Sequence, residues 1–214
     1  MTKISRADHL RPLDGSNAND QRPTREQAEA AVRTLLAWAG DNPRRDALRD
    51  TPARVAAAYG EYFEGYAHDP VELLRASTFE NASDYDDMVV LRDITFTSPC
   101  EHHVTPFVGR AHVAYIPGGP IVGLSRLARV VEVLAHRLQT QENLTSEIAA
   151  AIETALAPKG VAVMIEAEHQ CMAARGVHQM GVGTMTTRFL GSFANNEARI
   201  ARFMSMVHGG QVAR

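Results

Sequence analysis

The chain has 214 residues, 45% hydrophobic and 22% charged, the composition of a globular protein and not of a disordered one. Its 22 basic and 25 acidic residues leave a net charge of −3, so there is no electrostatic footprint for duplex nucleic acid and none is expected as a partner. No apolar run of about 18 residues could span a membrane, the first residues lack the apolar stretch of a secretion signal, and two cysteines do not make a disulfide scaffold; the expectation is a cytoplasmic chain of one domain with a small appendage, at about 150 residues per domain.

Residues 1–23 are polar, carry Pro12, Gly15 and Pro23, and read as a mobile arm. Thr24 and Gln27 have the spacing of a capping box. Ala28, Ala31, Val32, Leu35, Leu36 and Ala39 follow at helical spacing, and Gly40 closes the helix. A second helix is predicted with Thr51 as its cap and Pro52 at its first position. Its stripe of Val55, Ala58, Tyr59, Tyr62 and Tyr66 is expected to pack on core or on another subunit. The acidic segment 67–87 reads as irregular. Residues 24–87 thus form an N-terminal helical region.

From Met88 the texture changes. Val89, Leu91, Ile94 and Phe96 predict one strand and His112 to Ile116 another. After the loop Pro117-Gly118-Gly119-Pro120, helices are predicted at about 124–138 and 144–157, and Pro158-Lys159-Gly160 breaks the second. Val161, Val163, Ile165 and Ala167 alternate as in a strand, and residues 182–190 form a fourth. A last helix over 196–207 stops at Gly209-Gly210. Strand pairs flanking two helices favour antiparallel hairpins, so residues 88–214 are expected to be an α+β domain rather than a doubly wound sheet.

The chemistry concentrates around the two cysteines. Cys100-Glu101-His102-His103 sits in a turn after Ser98-Pro99, and His169-Gln170-Cys171 follows a predicted strand. Thiolate and imidazole are the donors zinc favours, and if the second segment is extended, His169 and Cys171 face one side together. A structural zinc would take four of Cys100, His102, His103, His169 and Cys171, whereas a catalytic one would take three and keep a position for water. Spacing alone does not separate the two, nor choose between the paired histidines. Ser125, Arg126 and Arg129 open the helix after the Pro-Gly loop, which suits phosphate, although taken by themselves they are better explained as a solvated helix face. Arg175-Gly176 follows the second cysteine closely and strengthens the case for a shared anionic-substrate site. Gln141-Glu142 lies between the two predicted helices, where a loop carboxylate could accept paired N–H groups of a guanine edge.

Several long motifs in order resemble the zinc-dependent, folate-pathway GTP cyclohydrolase I family. They are Thr97-Ser98-Pro99-Cys100-Glu101-His102-His103, Ala114-Tyr115-Ile116-Pro117, and Val122-Gly123-Leu124-Ser125-Arg126-Leu127-Ala128-Arg129. Gln139-Thr140-Gln141-Glu142-Asn143-Leu144-Thr145, Glu168-His169-Gln170-Cys171-Met172 and Ala174-Arg175-Gly176 complete the set, and the likeness runs from about Thr24 to Val207. The resemblance implies a T-fold, an antiparallel sheet with two helices inserted between strand pairs, preceded by N-terminal helices. It implies a toroidal homodecamer with active sites between subunits. The implied reaction converts GTP and water to 7,8-dihydroneopterin triphosphate and formate, the first step of tetrahydrofolate and pterin synthesis. The implied zinc ligands are Cys100, His103 and Cys171, with His102 and His169 as acid and base and Ser125 as a further proton carrier. Glu142, with Gln141 nearby, would hold the guanine, and Arg126, Arg129, Arg175 and Arg54 would join Ser125 on the triphosphate. Many family members have Lys where Arg126 stands, which keeps the charge but not the hydrogen-bond fork. The competing expectation is a non-catalytic, zinc-stabilised nucleotide-binding module on the same fold.

Overall fold

The computed structural model describes residues 22–80 and 84–209; the arm expected over 1–23 lies outside these except for its last two residues. Helix α1 (Arg25–Trp38) begins on the expected capping box, with Thr24 Oγ1 accepting from the Gln27 N–H and Gln27 Oε1 accepting from the Thr24 N–H. Helix α2 spans Thr51–Tyr62. Its cap is Asp50 rather than Thr51, because Asp50 O already accepts from the Arg54 N–H at 3.1 Å and Thr51 enters the first turn with Pro52. The segment expected to be irregular contains a helix, α3 (Pro70–Arg75), and a two-residue strand, β1 (Thr78–Phe79). Asp69 makes that helix: its carboxylate accepts from the N–H groups of Val71 and Glu72, while Pro70 supplies the helical φ of the first position.

The main sheet has four antiparallel strands in the order β2 (Val89–Pro99), β3 (Pro106–Ile116), β5 (Gly160–His169) and β6 (Gly183–Gly191). A short β4 (Ile121–Val122) pairs with β1 instead. Helices α4 (Leu124–Ala135) and α5 (Gln141–Leu156) lie between the two strand pairs in sequence, so the α+β, T-fold order expected from the sequence is the order observed. The strands beside the first cysteine are longer than their hydrophobic patterns announced: β2 runs on to Pro99 and β3 starts at Pro106, not at His112.

Two helical layers cover the sheet. Ala111, Val113 and Tyr115 of β3 point toward α3, α4 and α5 in one core that also holds Val71, Leu74, Leu127, Leu134, Ile148 and Ile152. Ala114 and Ile116 point to the opposite face, where Phe203 and Val207 of α7 (Glu197–His208) close a smaller core. Strand β5 is buried on both faces from Gly160 to Ile165, which explains its unbroken apolar run.

The N-terminal segment is tied to this body by polar contacts. Arg137, 2% exposed, donates to the carbonyls of Gly65 and His68 at 3.1 and 2.8 Å, and the Gly65 N–H donates to His136 O at 3.1 Å. A Cβ at residue 65 would stand 2.0 Å from Val133 O, so the close approach requires glycine. By contrast α1 has no buried residue, and Leu35, Trp38, Tyr59 and Tyr62 remain exposed on the helical pair. The aromatic stripe of α2 is thus largely outside this chain's core; Tyr66, in the short turn Glu64–Ala67 beyond that helix, accepts from the Leu138 N–H at 3.1 Å through its hydroxyl.

Candidate metal centre and active site

The hairpin between β2 and β3 delivers the first cysteine. Cys100, 1% exposed, donates its N–H to Thr105 O at 2.9 Å and accepts from the Val104 N–H at 2.8 Å. Val104 sits at φ +56°, a strained conformation for a β-branched residue, and it turns the chain tightly around Glu101, His102 and His103. Cys100 also bridges in parallel to Gln139, and the Glu101 N–H donates to Gln139 O at 2.9 Å. The loop between α4 and α5 therefore props the turn from behind. Residue type alone does not single out Gln139 for this task, because the support runs through its backbone.

The second cysteine comes from the end of β5. His169 is the last residue of that strand, and Gln170–Ala173 form one helical turn, α6. The expected extended geometry is replaced by this turn, yet the outcome is the same. The donor atoms of Cys100, His169 and Cys171 all lie within 4.8 Å of one another. Donors sharing one tetrahedral zinc stand roughly 3.3–3.8 Å apart, given bonds of about 2.0–2.3 Å. Burial pushes the Cys100 thiol up, and the neighbouring Cys171 thiol adds to it. Two soft donors held together in a place that disfavours their own charge suit a cation that neutralises them, and zinc fits this donor set.

The other predicted residues divide into two groups. His102 is beside the cluster, its Nδ1 3.5 Å from Cys100 Sγ. His103, on the same exposed turn, points elsewhere and accepts from Arg175 Nη1 at 2.5 Å. Burial holds His169 below its ordinary pKa, with Glu142 opposing the shift and His102 adding to it, so the imidazole is neutral at neutral pH. Its ring lies flat on Phe107, 4.7 Å between centroids and 3° between planes, a partner that a strand-start Phe did not advertise. Gln141 and Glu142 are not in a loop: Thr140 caps α5, its Oγ1 accepting from the Asn143 N–H at 3.2 Å, and places both in the first helical turn. Glu142 is exposed there, while Gln141 is buried.

Ser125, Arg126, Arg129 and Arg54 are not gathered with this cluster. Ser125 and Arg126 open α4 next to the far end of β3, where the Val122 N–H donates to Tyr115 Oη at 3.3 Å. From Phe107 to Ile116 the strand itself covers about 30 Å at roughly 3.4 Å per residue. Arg129 pairs with Glu132 at 2.6 Å and Glu64 at 4.0 Å, and Arg54 with Asp50 at 3.6 Å. Within one chain, Ser125 and Arg126 thus stand apart from the thiols, whereas Arg175 meets His103 on the Cys100 turn.

Residues 28–208 match the family model described as GTP cyclohydrolase I. The chain belongs to the GTP cyclohydrolase I family. Proteins named GTP cyclohydrolase 1 from Brucella suis and Brucella abortus are each 54% identical over 187 residues, covering 87% of this chain and 87% of their own length. Among solved structures, an archaeosine synthase QueF-like protein in its apo form has a TM-score of 0.42 at 20% identity and covers 49% of this chain and 94% of its own. Membership of the family accounts for the ordered motifs around both cysteines, and among the described residues no helix is long and apolar enough to cross a membrane.

Proposed function

We propose that this chain is a zinc-dependent hydrolase that opens the imidazole ring of GTP at C8, releases formate and recloses the product as 7,8-dihydroneopterin triphosphate. The observation that carries the reading is the convergence of both cysteines and His169 at the ends of two strands, flanked by His102, Glu142 and Arg175. Zinc would be held by Cys100, His103 and Cys171, and when bound it supplies Lewis acidity that makes water nucleophilic near neutral pH.

The residues then have distinct tasks. Glu142 accepts the paired N–H groups of the guanine edge from an exposed first-turn position, with Gln141 at the base of that subsite. His102 protonates N7, which makes C8 electrophilic. Attack at C8 opens the ring to a formamide, and its hydrolysis releases formate. His169 and Ser125 carry protons during ribose rearrangement and ring closure; a neutral imidazole suits the base. Ser125, Arg126, Arg129, Arg175 and Arg54 offset the triphosphate charge and orient the purine.

The separation of Ser125 and Arg126 from the thiols within one chain supports active sites built between subunits, in a cytoplasmic homo-oligomer of toroidal, decameric form. The N-terminal helices, 24–87, would be its assembly element, since α1 leaves Leu35 and Trp38 uncovered.

A second reading of the ligand set is favoured by one observation: the imidazole gathered with the thiols is His169, not His103. Zinc content decides. If His103 is the ligand, His103→Ala loses the metal and His169→Ala keeps it while losing turnover; the reverse pattern assigns the ligand role to His169. The function itself is tested by incubating the chain with GTP and following formate together with a fluorescent pterin after oxidation. A non-catalytic module would bind nucleotide and release no formate.

A further inference from the structure

Gln141 is 1% exposed, and every polar atom of its side chain is used within the protein. Its Nε2 donates to Thr184 O at 2.9 Å and Ile165 O at 3.1 Å, with Thr186 Oγ1 at 3.2 Å as a third neighbour. Its Oε1 lies 2.9 Å from His169 Nε2. The amide cannot be turned round, because Oε1 would then face two carbonyl oxygens that donate nothing. An oxygen can only accept, so His169 Nε2 carries the proton and donates, and the neutral ring keeps its lone pair on Nδ1. The backbone at Gln141 is fixed too: Thr145 Oγ1 donates to Gln141 O at 2.7 Å and stands 2.6 Å from Thr186 Oγ1. With Phe107 stacked on the ring, His169 is held in plane, in rotation and in tautomer.

We infer that Gln141 is a positioning residue: it fixes the tautomer and orientation of His169 from the first turn of α5, and its side chain is not a ligand of the guanine edge. The inference rests on the proposed function, which makes His169 a proton carrier. A buried side chain with no free donor or acceptor has nothing to offer a purine, whereas the adjacent Glu142 is exposed.

The test compares two substitutions in the zinc-saturated chain. Gln141→Met keeps the volume and removes the acceptor. Gln141→Glu stays protonated against the two carbonyls, donates its O–H to one of them and keeps an oxygen for the Nε2 proton. Positioning predicts that kcat of the Met variant falls about 10- to 100-fold with KM for GTP unchanged, and that the Glu variant recovers much of the loss. A packing role predicts the opposite order, Met above Glu, and a guanine-ligand role predicts a raised KM at constant kcat; either overturns the inference. Independently of any fold defect, ring-nitrogen NMR of the 15N-histidine-labelled chain, assigned by the signal lost in His169→Asn, should show the Nε2–H tautomer, and the Nδ1–H tautomer overturns it. A wild-type chain that releases no formate overturns the proposed function instead; an active one in which Met matches Glu sinks this inference alone.

Discussion

The two ends of the main sheet are built differently. At one end, a strained hairpin, a helical turn and a capped helix converge, so that Cys100, Cys171, His169, His102 and Gln141 meet without help from outside the chain. At the other end, Ser125 and Arg126 open α4 toward solvent, and further along that helix Arg129 pairs with Glu132 and Glu64. The first end is preorganised by its own covalent neighbourhood. The second has the composition of a phosphate cradle but no converging partner among the described residues. On the proposed reading, the two halves of the substrate site face different ways in one chain, and assembly is what would bring them together.

The comparison breaks first at the thiol end. Cys171→Ala is expected to lose bound zinc and, with it, turnover below detection, because removing one of three ligands leaves an uncompensated buried thiol. Metal analysis beside a formate assay checks both, and full activity without metal would refute the ligand assignment. At the guanidinium end, Arg126→Ala with Arg129→Ala is expected to raise KM for GTP more than 10-fold, most strongly at low salt, with zinc content unchanged. If the halves come from different subunits, mixing this double variant with Cys171→Ala after dissociation and reassembly restores activity, to about a quarter of the sites on random assortment. No recovery would place both halves in one chain.

Glu142→Ala sharpens the boundary between metal and substrate. Its zinc should stay, and GTP affinity should fall about 10-fold or more for the loss of a charged acceptor, an effect of about 1.5–3 kcal/mol. Unchanged affinity by calorimetry removes its guanine role. The smallest effect is expected on the sheet face away from the site. His112, 3% exposed, accepts from the Asp93 N–H through Nδ1, and burial holds its pKa below the usual value, with Asp93 and Glu166 opposing and His208 and Arg110 adding. The unfolded chain therefore takes up a proton near pH 6.5 that the folded chain refuses, and stability falls as pH drops through that value. His112→Asn keeps an acceptor for Asp93 and should flatten the fall of Tm between about pH 7 and 5, with activity at neutral pH unchanged; an identical pH profile would show that His112 is not its source.

Much of this architecture is legible in the sequence. Element order follows from hydrophobic period, and clustering of histidines at both cysteines marks the candidate metal site, where the structure brings Cys100, His169 and Cys171 together. Three features are not legible, each for a physical reason. The helix Pro70–Arg75 hides in an acidic stretch because its start depends on one cap, Asp69, and its apolar residues are few. Gln141 and Glu142 read as loop because the Thr140 cap precedes the first clear apolar residue of α5 by several positions. Which imidazole joins the thiols depends on a positive-φ turn at Val104 and on the stack with Phe107, both tertiary properties that no spacing rule encodes.

The most direct test strips the purified chain of metal with a chelator, restores zinc in steps, and counts formate released from GTP at each step. The account predicts no formate from the stripped chain and a return of activity in proportion to zinc, reaching its limit at one ion per chain, with one formate for each dihydroneopterin triphosphate. Formate release that ignores the zinc titration, or a zinc-replete chain that binds GTP and leaves its ring closed, would contradict it.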